Sequence, residues 1–495
     1  MILAQEQRIL KGHVEAQVQQ MLSSVEQAIK EGRTIGAMER YLWRGVLALG
    51  RRLMEGFVAG QGTGDVGPTF EYQGQTLRRF EALHKRRYVS VFGELTIARH
   101  VYGTRETQKQ EVVPLDARLE LPASDFSYLL QEWDQAKCVQ DSYDEVRVDI
   151  QRVLGLGQSV RSLEQMNQQM AQTVESFRQE QPAPPAEEEG QILVVTADNK
   201  GIPMRREADE AAPRGRRTRG QKANKKRMAC VGSVYTIDPF VREAQDVVDE
   251  VMRDKIKEKR PVPQHKEVRA ELTREIAGEE VNGKDRIFAW FAEQAKERNA
   301  KGDKPVVCLM DGERSLWKTL AGVLVGIVCI LDIFHVLERL WQAAHCFHPE
   351  GSAEAKAFVS QRLERILEGE VGRVIGGLKQ MACKQGLKGA RLKQLESAIG
   401  YLENNRQSMR YDEYLATGYP IGSGVAEGAC RYVVKDRMER TGMRWRTPTA
   451  QAMLDNRCVY ISGQWEAFNA YRIESEGRRL YPYRDLVEKQ RRSAA

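Results

Sequence analysis

The hydrophobic positions of the first 60 residues recur at helical spacing. Segments such as VEAQVQQMLSSVEQAI and YLWRGVLALGRRLMEGFV place apolar side chains three and four residues apart, which predicts a helical region over 1–65. The Gly-rich stretch AGQGTGDVGPTF interrupts this pattern. KRRYVSVFGELTIARHVYG then alternates β-forming residues around Phe92-Gly93-Glu94, so we expect a β-hairpin element within 66–115.

The basic residues of the predicted hairpin allow two interpretations. Lys85, Arg86, Arg87 and Arg99 fit solvated charges at a strand edge, which oppose aggregation, and they equally fit phosphate contacts. The pattern alone does not choose between the two.

Helical spacing returns over residues 116–180, where two helical segments flank a Gly-rich turn. Ser159 is placed to cap the second segment, which carries Arg161, Gln165 and Gln168. Arg and Gln read base edges in a major groove, so the pair is a candidate DNA-binding helix-turn-helix. A purely structural helical hairpin fits the same pattern.

The clearest boundary in the chain is the linker over residues 181–190, which is rich in Pro, Ala and Glu. A core domain is expected to follow over 191–345. Its first apolar run, ILVVTA, predicts a buried strand that ends in a turn at Asp198. The second run, VVCLM, leads to Asp311, and the third leads to Asp332 at the start of a helix. Aspartates at adjacent strand ends would lie close together.

A strongly basic loop separates the first apolar run from MACVGSVYTIDPF, which we expect to return as an antiparallel strand. Positions 200–227 hold eleven Lys or Arg residues and three acids. Such a cluster suits a nucleic-acid backbone, although a solvated loop is the alternative. The candidate DNA-binding residues of the loop are Arg214, Arg216, Arg217, Arg219, Lys222, Lys225, Lys226 and Arg227.

A charged helical stretch is expected before the amphipathic segment DRIFAWFAEQAKERNA, and a helical insertion is expected over 346–418. The region 419–475 then contains GYPIGSGVAEGACRYVVKDRMERTGMRWRTP. Here Glu427 is predicted to open a helix that runs through the candidate DNA-binding residues Arg431, Lys435 and Arg440. Tryptophans on amphipathic helices are more often core residues than base-stacking ones, and Trp445, in the basic GMRWRT, is the best candidate exception. Residues 476–495 form a basic tail.

The composition favours a multidomain protein outside the membrane. The 495 residues exceed the usual size of one domain, so we expect three or more structural units. No run approaches the ~20 apolar residues of a membrane span, and the first residues lack the pattern of a secretory signal. We therefore expect a cytoplasmic location. Eight scattered cysteines without a CxxC pair predict reduced, mostly buried thiols.

Three acids in different settings are the candidate chemical site. Asp198, Asp311 and Glu427 could together bind two divalent cations, the equipment that activates water or a hydroxyl group against a phosphodiester. Capping or turn chemistry is the structural alternative for each acid. Asp332 is the alternative to Asp311 as the second ligand. Otherwise Asp332 and His335 bond to each other and help to hold the metal ligands in position without binding the metal.

Four motifs together resemble the DDE transposases of the ISKra-type insertion-sequence group. They are TADNKGIPM, LMDGERSLW, LDIFHVLERLW and GYPIGSGVAEGACRYVVKDRMERTGMRW. The Asp311-Gly312 pair and the Asp332-x-x-His335 pattern are also similar to those of Mutator-like transposases. The resemblance implies an α/β fold, with a ribonuclease H-like mixed sheet and a helical insertion. The residue pattern predicts that a mainly helical N-terminal region with a small β-hairpin precedes it.

The resemblance also implies roles for individual residues. Asp198, Asp311 and Glu427 would be catalytic and would bind Mg²⁺, for which Mn²⁺ can substitute, while Asp332 and His335 would be accessory. The expected partners are transposon terminal inverted repeats and target DNA, bound by a homo-oligomer in the bacterial nucleoid. Two alternatives stay open: a structure-selective nuclease that cuts without joining, and a non-catalytic DNA-binding protein derived from a transposase.

Overall fold

The computed structural model describes residues 2–104, 112–205, 226–253, 260–440 and 442–494, without the side chains of 2–10, 426, 427 and 492–494. The chain forms two compact units. The first combines residues up to Phe177 with those from Gln464 onward, and the second extends from Arg178 to Gly463.

The first unit begins with two long helices, α1 (Ile2–Glu31) and α2 (Ile35–Gly60), which confirms the predicted helical start. The two helices pack against each other. Tyr41 Oη donates a hydrogen bond to Ser24 Oγ across this contact at 2.7 Å.

Short strands follow the two helices. They are β1 (Thr69–Tyr72), β2 (Gln75–Arg79), β3 (His84–Ser90), β4 (Gly93–Arg99) and β5 (Tyr102–Gly103). The antiparallel pair β3–β4 is the predicted hairpin, and the prediction is confirmed. The pair β1–β2 was not predicted, because each strand is short and contributes few apolar residues. Phe70 and Leu77 pair across β1–β2 and are both buried.

Arg86 and Arg99 on this hairpin form a buried ion cluster. Both guanidinium groups donate to Asp116 Oδ2, at 2.8 and 2.7 Å, and Asp116 lies in helix α3 (Pro114–Leu119). For these two arginines, both sequence interpretations were wrong. They hold α3 against the hairpin instead of facing solvent or phosphate.

The remaining helices of the N-terminal part are α4 (Tyr128–Cys138), α5 (Tyr143–Leu154), α6 (Val160–Ala171) and α7 (Val174–Glu180). The predicted cap of α6 is confirmed, because Ser159 Oγ accepts a hydrogen bond from the Ser162 N–H at 3.0 Å. Arg161 and Gln165 are exposed on α6, while Leu163 and Met166 are buried in the unit.

The second unit is built on a mixed sheet. Its strands are β6 (Ile192–Pro203), β7 (Lys226–Ile237), β8 (Gln264–Leu272), β11 (Val306–Met310) and β12 (Val328–Leu331), and the order in the sheet is β12-β11-β6-β7-β8. A separate small hairpin consists of β9 (Arg274–Ile276) and β10 (Glu279–Val281). Strands β12, β11 and β6 are parallel to one another, whereas β6–β7 and β7–β8 are antiparallel.

The structure corrects the sequence prediction between residues 243 and 283. Only α8 (Ala244–Val251) is helical among the described residues there, and β8 follows it instead of more helix. Strand β8 has the alternation of apolar and polar residues that is typical of a strand, but its many charged side chains make this alternation difficult to recognise in the sequence. Val268, Ala270 and Leu272 alternate with charged residues and are buried.

Helices cover both faces of the large sheet. In chain order they are α9 (Gly283–Arg298), α10 (Arg314–Ala321), α11 (Ile333–Phe347), α12 (Ala353–Leu367), α13 (Val371–Lys384), α14 (Gly389–Asn404) and α15 (Tyr411–Ala416). One core packs Val194 and Leu309 against α11 and α12, and the other packs Val195 and Met310 against α9 and α10. The helical character predicted for residues 346–418 is confirmed by α12 to α15.

The chain then forms α16 (Gly424–Ala429), a π-helical segment (Cys430–Lys435), α17 (Asp436–Met438) and α18 (Thr447–Ile461). The last helices, α19 (Trp465–Leu480) and α20 (Arg484–Ala494), return to the first unit. There Phe468 packs against Phe177 with ring centroids 5.4 Å apart.

None of the helices in the described ranges combines the length and the apolar character needed to cross a membrane. All eight cysteines are free, and six of them are buried, which confirms the prediction that the thiols are mostly buried.

Candidate active site

The strand register brings three aspartates to the same level of the parallel part of the sheet. Leu309 of β11 pairs with Thr196 of β6, and Met310 pairs with Leu331 of β12. One or two residues further along each chain lie Asp198, Asp311 and Asp332. Neighbouring strands are ~4.8 Å apart, so the three positions are adjacent.

Asp198 does not end its strand, and this part of the sequence prediction was wrong. Strand β6 continues to Pro203, and Asp198 pairs with Val231 of β7. The pairing between β6 and β11 stops at Thr196, however. Asp198 therefore lies just beyond the last pairing of β6 with β11, while β7 still pairs with it.

Asp311 follows β11 directly, as predicted, and is only partly buried. Its Oδ1 accepts a hydrogen bond from the Glu313 N–H at 2.9 Å, while its backbone carbonyl accepts one from Tyr401 Oη at 2.6 Å. Burial raises the pKa of the Asp311 carboxyl, and the nearby charge of Asp198 acts in the same direction. A cation between the two aspartates would relieve this cost of holding two negative charges together.

Asp332 has a different environment, because it is completely buried and caps α11. Its Oδ1 accepts hydrogen bonds from the Phe334 and Ser423 N–H groups at 3.2 and 3.0 Å. Its Oδ2 accepts one from Ser423 Oγ at 2.7 Å and lies 2.8 Å from His335 Nδ1. Both oxygens are therefore used inside the protein.

The expected bond between Asp332 and His335 is confirmed. The hydrogen bond to Asp332 is the main reason that the pKa of His335 is raised to about 9, and the charge of Asp311 contributes in the same direction. The imidazolium form therefore predominates at neutral pH. Asp332 serves as the anchor that ties α11 to the segment before α16, which leaves Asp311 as the more accessible carboxylate.

Helix α16 packs against β6 and β7 beside Asp198. Cys430, directly after α16, lies close to Asp198, and burial together with the Asp198 charge raises the pKa of its thiol. Glu427 lies three residues before Cys430, inside α16 instead of at its start as predicted. The Glu427 side chain lies outside the described residues.

The helix that follows is also less regular than predicted. It changes to π-helical geometry over Cys430–Lys435 and ends at Met438, before Arg440. The Tyr432 and Val433 carbonyls accept hydrogen bonds from the Arg457 guanidinium, with Nε to Val433 O at 3.0 Å. A π-helical turn frees carbonyls from regular helical bonding, and Arg457 of α18 satisfies them.

Two residues of the site were missed by the sequence reasoning. Asn199 donates its backbone N–H to Asp198 Oδ1 at 2.6 Å and its side-chain amide to Glu313 Oε2 at 2.8 Å. Glu313 in turn donates its N–H to Asp311. Their closeness in sequence to the two aspartates was the available signal.

The candidate DNA-binding residues separate into three groups. Arg214, Arg216, Arg217, Arg219, Lys222 and Lys225 lie outside the described residues. Arg227 bonds to Thr273 O at 3.2 Å and to Thr447 Oγ1 at 3.1 Å, so it joins parts of the second unit. The remaining four line an open cleft of about 810 Å³, whose described lining is Pro203, Lys226, Arg431, Lys435, Asp436, Glu439 and Arg440.

The cleft is cationic but partly neutralised. Lys226 pairs with Glu439, and Arg431 lies 3.6 Å from Asp436. Arg431 and Lys435 are exposed.

Trp445 does not offer a stacking surface, so it is no exception to the core placement that the sequence favours for the tryptophans. It is buried, donates Nε1–H to Met438 O at 3.1 Å, and lies under the Arg437 guanidinium.

The geometry fits a divalent cation only in part within the described residues. Asp198 and Asp311 supply partly exposed carboxylate oxygens, the donors that Mg²⁺ prefers. The described side chains contain no group of three or more His, Cys, Asp and Glu arranged to hold a metal ion. Comparison with protein-family models and with curated proteins finds no match to this chain.

Proposed function

We propose that the chain is a DNA transposase that cleaves DNA strands and transfers them with the help of bound metal ions. The observation that carries this proposal is the contrast at the end of the parallel strands. Asp198 and Asp311 lie at adjacent positions with partly exposed carboxylates, whereas both carboxylate oxygens of the neighbouring Asp332 are buried and hydrogen-bonded within the protein.

The sheet supports a ribonuclease H-like core. Three antiparallel strands, β8-β7-β6, continue into the parallel strands β11 and β12, and helices cover both faces. Helices α12 to α15 lie between α11 and α16, which supports the helical insertion that the motif resemblance implies.

Asp198, Asp311 and Glu427 are the proposed ligands of Mg²⁺ or Mn²⁺. The argument for Glu427 is positional. It lies about one helical turn before Cys430, and Cys430 lies close to Asp198. Bound metal ions would supply an activated water or hydroxyl oxygen and charge stabilisation of the departing oxygen.

The chain's own groups would organise the site around the DNA. The Asp332–His335 pair holds the start of α11 and Ser423, which fixes the segment leading to α16. The cleft formed by Lys226, Arg431 and Lys435 would hold a DNA backbone. The exposed Arg161 and Gln165 of α6 are proposed to contact terminal inverted repeats, and a homo-oligomer would bind the two ends.

The experiment is strand cleavage and strand transfer on labelled duplexes that contain the ends flanking the coding region, with Mg²⁺ or Mn²⁺. We expect cleavage followed by joining. Alanine at Asp198, Asp311 or Glu427 should abolish both steps while binding to the ends is retained. Alanine at the exposed Asp303 is the matched control.

Other outcomes identify the alternatives. Cleavage without joining would favour the structure-selective nuclease. Binding of the ends without nicking by the wild-type protein would favour the non-catalytic DNA-binding protein.

A further inference from the structure

A chain of hydrogen bonds connects the two candidate ligand strands. It runs from Asp198 to the Asn199 N–H, from the Asn199 side-chain amide to Glu313 Oε2, and from the Glu313 N–H to Asp311 Oδ1. The second oxygen of Glu313 accepts a hydrogen bond from the Ser315 hydroxyl. Both oxygens of the Glu313 carboxylate are therefore engaged.

This connection lies where the sheet no longer holds the two strands together. The pairing of β6 with β11 ends at Thr196 and Leu309, two residues before each aspartate. Beyond that point two carboxylates repel each other across the gap between the strands. The bond from Asn199 to Glu313 crosses the same gap, so it opposes the separation that the repulsion favours.

We propose that Asn199 and Glu313 are a positioning pair, which holds Asp198 and Asp311 at the separation that a divalent cation requires. This inference rests on the proposed function. Glu313 acts through Asn199 and the backbone without binding the metal. Its hydrogen-bonding capacity, and not its charge, is what the site needs.

The test compares three variants of the full-length chain. Asn199→Ala and Glu313→Ala each remove the bond between the strands, whereas Glu313→Gln keeps a side-chain oxygen that can accept it. Glu280→Ala, an exposed acid on β10, is the matched control. The probe is Mn²⁺, titrated by electron paramagnetic resonance, together with the Mg²⁺ concentration that gives half-maximal DNA cleavage.

We expect both alanine variants to bind Mn²⁺ about 10–100-fold more weakly and to need correspondingly more Mg²⁺, as is usual when partners of metal ligands are lost. Glu313→Gln and Glu280→Ala should stay close to the wild type. Melting temperatures should change little, because Asn199 and Glu313 are at least partly exposed.

Three results would overturn the positioning role. In the first, Glu313→Gln is as impaired as Glu313→Ala, so that the charge is what matters. In the second, both alanine variants bind Mn²⁺ like the wild type. In the third, both variants unfold below the assay temperature, which would show that the bond serves the fold.

Failure of the proposed function gives a different result. If Mn²⁺ binding by the wild type does not depend on Asp198 and Asp311, the metal site itself is wrong. If binding depends on both aspartates but not on Asn199 or Glu313, the metal site stands and the positioning pair does not.

Discussion

Asp311 and Asp332 occupy neighbouring positions at the ends of two parallel strands, yet the fold uses them differently. Asp332 is buried and accepts hydrogen bonds from two backbone N–H groups and a hydroxyl while bonding to an imidazole. Asp311 is partly exposed and, within the described residues, accepts one hydrogen bond on its carboxylate. The neighbours of an acid, more than its place on a strand, therefore decide whether it is available to a ligand.

A third carboxyl, Asp134 in the first unit, extends the comparison. It is as buried as Asp332, but among the described residues its carboxyl accepts a hydrogen bond from the Gln158 side-chain amide at 2.8 Å. Burial raises the pKa of Asp134 to about 7. Burial with few donors therefore favours the neutral acid.

The largest effect on stability is expected for Asp332→Ala. This change leaves Ser423 and the cationic His335 without their shared acceptor, and removing one partner of a buried pair costs about 3–5 kcal/mol. Urea unfolding measures this loss, with Asp303→Ala as the control. A loss no greater than that of the control would mean that Asp332 is not an anchor.

The next effect is the pH dependence caused by Asp134. Its folded pKa of about 7 exceeds the ordinary value of 3.8, so the stability it contributes is present below pH 3.8 and is lost as the pH rises to about 7. At about 1.4 kcal/mol per pKa unit, this loss amounts to a few kcal/mol. Asp134→Asn should remove it.

Melting temperatures at several pH values between 4 and 8 test this expectation. The wild type should lose stability relative to Asp134→Asn as the pH rises. Parallel curves for the two proteins would show that the carboxyl stays ionised.

A smaller pH effect of the same sign is expected from His335. Its pKa is raised from 6.5 to about 9, so the stability gained from its bond to Asp332 is full below pH 6.5 and disappears as the pH passes 9. In His335→Gln, measured with EDTA present, the melting temperature should depend less on pH between 6.5 and 9 than it does in the wild type. A wild-type curve that is already flat would contradict the ion pair.

The smallest expected change in stability is that of Asp311→Asn, and it should be an increase, whereas Asp332→Ala should lower stability. The raised pKa of Asp311 means that its ionised form costs stability at neutral pH, because the carboxylate is partly buried beside Asp198. Asp311→Asn should therefore raise the melting temperature slightly in EDTA while abolishing metal-dependent cleavage. A lowered melting temperature would make Asp311 a structural acid like Asp332.

The helices and strands whose apolar residues recur at a regular spacing could be predicted from the sequence. The buried runs before Asp311 and Asp332 and the helices after residue 346 are strongly apolar at one spacing, and they were located correctly. Strand β8 was missed, because its charged residues resemble an exposed helix. The end of β6 was misplaced, because Asp-Asn-Lys-Gly has the residue types of a turn although β7 continues to pair with it.

The sequence alone indicates which carboxylates can meet, because Asp198, Asp311 and Asp332 each follow a buried apolar run and these runs form neighbouring parallel strands. The long-range part of their difference depends on the packed fold. Ser423 reaches Asp332 across 91 residues of chain, and Asn199 and Glu313 link Asp198 to Asp311 across 114. A hydrogen bond depends on distances in space, and these distances are set only when the whole sheet and its helices have packed.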